Sequence, residues 1–106
     1  MVKHNANGHR RRELVRRVKA EESHCALCDR PVDQTLHHLD PQAAVVDEDI
    51  PRALGGSPYD RLNCHLMHRS CNRWKGTMTL AQARARYHAE ATASPKAAAV
   101  APSPIW

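Results

Sequence analysis

Two short motifs carry the plainest chemistry in this sequence. Cys25-Ala26-Leu27-Cys28 is a Cys-x-x-Cys knuckle, and His68-Arg69-Ser70-Cys71 repeats the spacing 40 residues after Cys28. Two residues between ligands let a tight turn or the first turn of a helix aim both side chains at one ion. Two such pairs complete a tetrahedral Cys3His set, an arrangement used by closed structural zinc sites that leave no position for water. Zinc bound only by the folded chain adds its binding free energy to stability. The alternatives at this level are a disulfide or free core thiols. Cys64 is left over and reads as a small buried hydrophobe.

A second group of residues lies between and after these pairs. It runs His37-His38-Leu39-Asp40-Pro41, then Gly55-Gly56-Ser57, then Asn63, then Cys71-Asn72-Arg73-Trp74-Lys75-Gly76. In this order the chain resembles the HNH endonuclease family, in the branch with zinc-binding Cys pairs. That branch has a Cys-x-x-Cys, a His-centred strand end followed by Pro, a Gly-Gly loop, an Asn, and two zinc ligands running into Asn-x-x-Lys-Gly. The resemblance covers roughly residues 23–77, about half the chain. It departs from the common pattern in two ways. His68 stands where Cys is more frequent, and the 24 residues between His38 and Asn63 make a long, acidic loop.

The resemblance implies a small α+β fold with a ββα-metal (His-Me finger) core, a structural zinc and flanking helices. It implies that His38 is the general base and that His37 and Asn72 hold a catalytic divalent metal. Asn63 would pin the strand-to-strand loop and orient the base, and Cys25, Cys28, His68 and Cys71 would hold structural Zn2+. The implied activity is hydrolysis of DNA phosphodiester bonds, leaving 5′-phosphate and 3′-hydroxyl ends. Stand-alone members of the family often lie beside packaging genes in bacteriophages and assist the terminase. A terminase partner and the cytoplasm of a bacterial host are therefore expectations of the same resemblance.

The residue types are suited to that chemistry. An imidazole can take a proton from water near neutral pH. A divalent ion on a phosphate oxygen and the leaving oxygen spreads the developing charge. A His37/Asn72 pair suits several ions, Mg2+, Mn2+, Ni2+ or Zn2+. Read alone, adjacent histidines in a chain with eight of them are more often a solvated surface pair, and Asn72 can equally serve as a helix cap.

Several elements must position these groups. Residues 9–22 have a helical pattern with a narrow apolar stripe of Leu14, Val15 and Val18. Residues 36–39 read as a brief strand, 42–60 as a long loop, 62–67 as a second strand, and 69–76 as a helix stopped by Gly76. Thr79 and Gln82 resemble a capping box opening a helix to about residue 91, with Leu80, Ala83 and Tyr87 on its apolar face. The expected organisation is a basic arm and helix over 1–22, the nuclease domain over 23–91, and a disordered Ala/Pro-rich tail over 92–106.

Charge and size bound the function classes. Residues 1–20 carry seven Lys/Arg against one acid, residues 21–66 three against nine, and residues 67–106 six against one. Basic arms around an acidic middle suit a polyanion. Arg69, Arg73, Lys75, Arg11, Arg12 and Arg16 are the expected phosphate contacts, bringing affinity without sequence readout. Trp74 is expected to pack on the core. No stretch is long and apolar enough to span a membrane, and no apolar segment follows the first charges. With 106 residues and no Phe, the core is thin, and a metal is expected to supply part of the folding free energy. The competing reading is a non-catalytic zinc-binding nucleic-acid-binding module, which has no use for His37, His38, Asn63 and Asn72 together.

Overall fold

Leu14 and Val18 lie one turn apart, so a helix through them presents a single apolar ridge. In the computed structural model, which describes residues 5–93, that helix is α1 (Asn5–Glu21), with Leu14 and Val18 buried. It begins before residue 9, so part of the expected basic arm ahead of the helical pattern is helical as well. Of the disordered tail expected over 92–106, residues 92–93 are helical and end α3, and the rest lies outside the described residues. No helix among the described residues is long and apolar enough to cross a membrane.

After α1 the chain makes the Cys knuckle. A bridge between His24 and Pro31 closes it, and Asp29 adopts a left-handed conformation at φ 65° to turn the chain. The expected strand at 36–39 does not form. Side chains offer the backbone other partners there: Asp33 accepts from the Thr35 amide at 2.9 Å and Asp40 from the Gln42 amide at 2.8 Å. The Asp40 amide also turns back to the His37 carbonyl at 2.9 Å. Local Asx turns of this kind compete with a sheet ladder and win when no strand partner is available.

The first strand forms instead inside the expected loop. β1 (Ala44–Glu48) pairs antiparallel with β2 (Cys64–His68), in register from Ala44 opposite His68 to Glu48 opposite Cys64. Helix α2 (Arg69–Lys75) follows β2 directly and ends at Gly76, whose φ of 56° closes the turn. Thr79 and Gln82 exchange the two reciprocal bonds of a capping box, both 3.1 Å, and α3 (Leu80–Ala93) follows. Ala83 is fully buried, with Leu80 and Tyr87 packed against the core as their spacing predicts.

The described residues form a small α+β unit: a two-stranded sheet, three helices and a possible Cys/His metal site. Its core is small and partly made of sulfur, joining Leu14 and Val18 of α1 to Leu27, Val32, Leu66, Met67 and the cysteines. Polar ties fix α1 to the hairpin. Arg11 donates to the Val46 and Pro58 carbonyls at 3.0 and 2.8 Å and pairs with the buried Glu48 at 3.1 Å. Arg61 bridges Glu21 and Glu22 at the other end of the helix.

Candidate metal centre and the hairpin site

The knuckle and the β2–α2 junction meet. One ligand atom each from Cys25, Cys28, His68 and Cys71 lies within 4.8 Å of every other, and all four residues are buried. The backbone fixes the geometry. The Ala26 amide bonds to the Leu66 carbonyl at 2.8 Å, stapling the knuckle to the outer edge of β2. His68 ends β2 and Cys71 sits in the first turn of α2, so strand and helix each deliver one member of the second pair.

The imidazole orientation is decided by its second nitrogen. His68 Nε2 lies 2.9 Å from the Pro31 carbonyl, which can only accept, so Nε2 carries the hydrogen. That leaves Nδ1 with its lone pair facing the Cys28 and Cys71 sulfurs at 3.4 and 3.7 Å. The thiols are strongly interdependent. A hydrogen bond from Cys71, with backbone amides behind it, holds the Cys25 thiol down to about 4, whereas that same contact and burial push Cys71 up. The Arg30 guanidinium stands beside Cys28 and balances the charge. Three sulfurs and one correctly oriented imidazole are a donor set that fits a divalent ion, compatible with structural zinc. Cys64 is not part of the group. It is fully buried under the Arg11 guanidinium, and burial pushes its thiol up.

The predicted catalytic residues and catalytic-metal ligands lie on three segments: the 37–38 turn, the 49–63 loop and α2. His37 and His38 lie in an exposed turn, with ring centroids 4.3 Å apart and tilted by 30°. His37 Nδ1 accepts the Leu39 amide at 3.1 Å, and no hydrogen bond among the described residues links either ring to Asn63 or Asn72. Asn63 holds the 49–63 loop with three bonds: it accepts from the Ile50 amide at 2.9 Å and donates to the Ile50 and Ser57 carbonyls, both at 3.1 Å. Asn72 lies within α2, where its carbonyl accepts the Gly76 amide at 3.1 Å, and the helix N-cap is His68.

The end of β1 supplies residues that sequence reasoning left unassigned. Asp47 faces α2 and pairs at 2.8 Å with the buried Lys75, one turn after Asn72. His65, the cross-strand partner of Asp47, has Nδ1 2.6 Å from Asp49 and Nε2 3.8 Å from Glu22. Asp47-Glu48-Asp49 carries no strand signal of its own, and only its register with β2 brings Asp47 and His65 to one face of the hairpin.

Two of the expected phosphate contacts are used inside the protein. Lys75 is buried against Asp47, and Arg11 is committed to Glu48 and backbone carbonyls. Arg16 is exposed but pairs with Glu13, while Arg12, Arg69 and Arg73 face no carboxylate among the described residues. Comparison with protein-family models, curated proteins and solved structures gives no match to this chain.

Proposed function

We propose that the protein is a metal-dependent endonuclease that hydrolyses DNA phosphodiester bonds with low sequence specificity, with β1, β2 and α2 as a ββα-metal unit stapled by zinc. One observation carries this reading: Asp47 on β1 faces α2 one turn from Asn72, while Asn63 pins the intervening loop.

The family pattern named above puts a His-centred strand end before Pro and Gly-Gly, and the end of β1 departs from it in carrying acids and no His. In this chain the strand that ends before Pro and Gly-Gly is β1, so the metal-holding pair moves from His37 and Asn72 to Asp47 and Asn72. Both offer oxygen, which suits Mg2+ or Mn2+. A bound ion would spread charge over the scissile phosphate. His65 is then the best-oriented proton acceptor. Asp49 can only accept when ionised, so His65 Nδ1 donates to it and Nε2 is left to take a proton from water.

Plasmid nicking with added Mg2+ or Mn2+ tests the assignment. Asp47→Ala and Asn72→Ala should abolish cutting, and His65→Ala should slow it by about 100-fold or more. His38→Ala should stay within a few-fold of wild type. Loss in His38→Ala with retention in His65→Ala would return the base to the 37–38 turn. A partnership with a phage terminase belongs to the same proposal, and failure to co-purify with the large terminase subunit would remove it.

A specific observation favours the second reading, a zinc-stapled nucleic-acid-binding module without catalysis. Lys75 neutralises Asp47, and Arg11 and Arg52 neutralise Glu48, so the acids of the strand end are balanced by the protein's own cations. A wild-type protein that binds DNA but cuts none with any divalent ion would establish that reading over the first.

A further inference from the structure

Among the described residues, six of the twelve arginines are paired with carboxylates, and Arg10, Arg12, Arg30 and Arg86 are among those that are not. Arg11, Arg16, Arg17, Arg52, Arg61 and Arg84 each face a carboxylate. Arg69 and Arg73 do not. They lie four residues apart on α2, on one helix face, and both line a cleft of about 290 Å³ with Pro41, Ser70 and Trp74. The lining holds two guanidiniums, one indole and no carboxylate.

Each wall is fixed. The Ser70 amide bonds to the Pro41 carbonyl at 2.8 Å, which holds the 37–41 turn against α2. Arg69 donates to the Leu39 carbonyl at 3.0 Å, which orients the guanidinium and leaves most of its donors unused. Trp74 meets Tyr87 at 84° with centroids 5.4 Å apart, so Tyr87 covers at most one face of the indole. Trp74 remains 38% exposed, where the sequence alone had it packed on the core.

We propose that this cleft takes one unpaired nucleotide of a DNA strand, with the base stacked on Trp74 and the flanking phosphates held by Arg69 and Arg73. The chemistry fits on three counts. Indole stacking accepts any base and is the main non-electrostatic term in single-strand binding. Arginine pairs phosphate through two parallel donors. The volume sits at the lower edge of ligand pockets, about 300 Å³, enough for a single nucleotide but not for a duplex groove. This deepens the nuclease reading and rests on it for the choice of DNA: the preferred substrate is single-stranded or frayed DNA, with the 37–38 histidine pair on the same turn as the cleft wall.

The test is a binding measurement on the full-length, zinc-loaded protein without added Mg2+, in a Trp106→Phe background so that emission reports Trp74. Titration with an eight-nucleotide oligo-dT should quench that emission. Trp74→Leu, which keeps apolar packing against Tyr87, should weaken oligo-dT binding roughly ten-fold while leaving blunt duplex binding and the melting temperature unchanged. Arg69→Gln and Arg73→Gln should each flatten the salt dependence of oligo-dT binding by about 0.7 in slope.

Three outcomes would overturn the proposal: no quenching, equal loss of duplex and oligo-dT binding in Trp74→Leu, or tighter binding of oligo-rU or of free dTMP than of oligo-dT. The two readings fail separately. A protein that shows the quenching but never cuts DNA loses the nuclease assignment and keeps the cleft. One that cuts single strands unchanged by Trp74→Leu loses the cleft and keeps the nuclease.

Discussion

A methyl group added at Gly56 would stand 1.6 Å from the Ile50 carbonyl oxygen and 2.9 Å from the Asn63 amide nitrogen. No relaxation of a flexible side chain can relieve a clash with backbone, so the loop between the strands must move. Gly55 is different: it sits at φ 93° with open space around it. Gly56→Ala should therefore cost more than about 2 kcal/mol and disturb the Asn63 bonds. Gly55→Ala should cost about 1 kcal/mol through backbone strain alone. Chemical denaturation of both variants checks the order, and equal losses would contradict it. A second residue-scale prediction concerns Asp29, whose carboxyl the Arg84 guanidinium holds below its ordinary value. A depressed folded value means the pair stabilises fully at neutral pH and loses its contribution as pH falls through that value. Asp29→Asn keeps a side chain tolerant of the left-handed backbone. It should destabilise at pH 7 by no more than about 1 kcal/mol, the group being largely exposed, and by nothing near pH 2. A difference that persists at pH 2 would show that the charge is not its source.

At the scale of elements, the helices were legible and the first strand was not. Leu14 and Val18 fixed the buried face of α1, and Thr79 with Gln82 announced the start of α3 in two residues. β1 was hidden because Val45 and Val46 form a short apolar run with no alternation, followed by three acids that read as a loop. Only the cross-strand register explains those acids. Asp47 turns toward α2 and finds Lys75, and Glu48 turns toward α1 and finds Arg11. The same fact bears on the proposed site: the Cys/His cluster could be read from spacing, whereas the proposal for the hairpin depended on knowing which segment pairs with β2. Lys75→Met tests how strand and helix are coupled. It leaves the Asp47 carboxylate without its partner and should lower stability by about 1–3 kcal/mol. If Asp47 and Asn72 hold a divalent ion, added Mn2+ should recover part of that loss in Lys75→Met and none in the double variant with Asp47→Asn. Melting curves with and without Mn2+ would show it, and an identical response of the two variants would remove Asp47 from the metal site.

At the scale of the whole molecule, one joint carries the assembly. The Cys/His cage ties the knuckle after α1 to the junction of β2 and α2, and three of its four ligands are counted in the hydrophobic core. Without the cysteines, the largest fully buried apolar side chains are Leu27, Leu66, Met67 and Val18, too few to hold a domain of this size with a wide margin. With no ion in the cage, the Cys71 thiol donates to Cys25, which holds Cys25 down and pushes Cys71 up. An ion replaces the thiol protons, so metal binding releases protons and is coupled to folding. Removing zinc with a strong chelator should therefore abolish the cooperative thermal transition, and returning zinc under reducing conditions should restore it. Cys71→Ser should behave like the chelated protein, while Cys64→Ser should still bind one zinc, since Cys64 lies under Arg11 and outside the cage. A chelated protein that melts at the temperature of the untreated one would mean that apolar packing alone holds the hairpin, and the cage would lose its place as the joint of the fold.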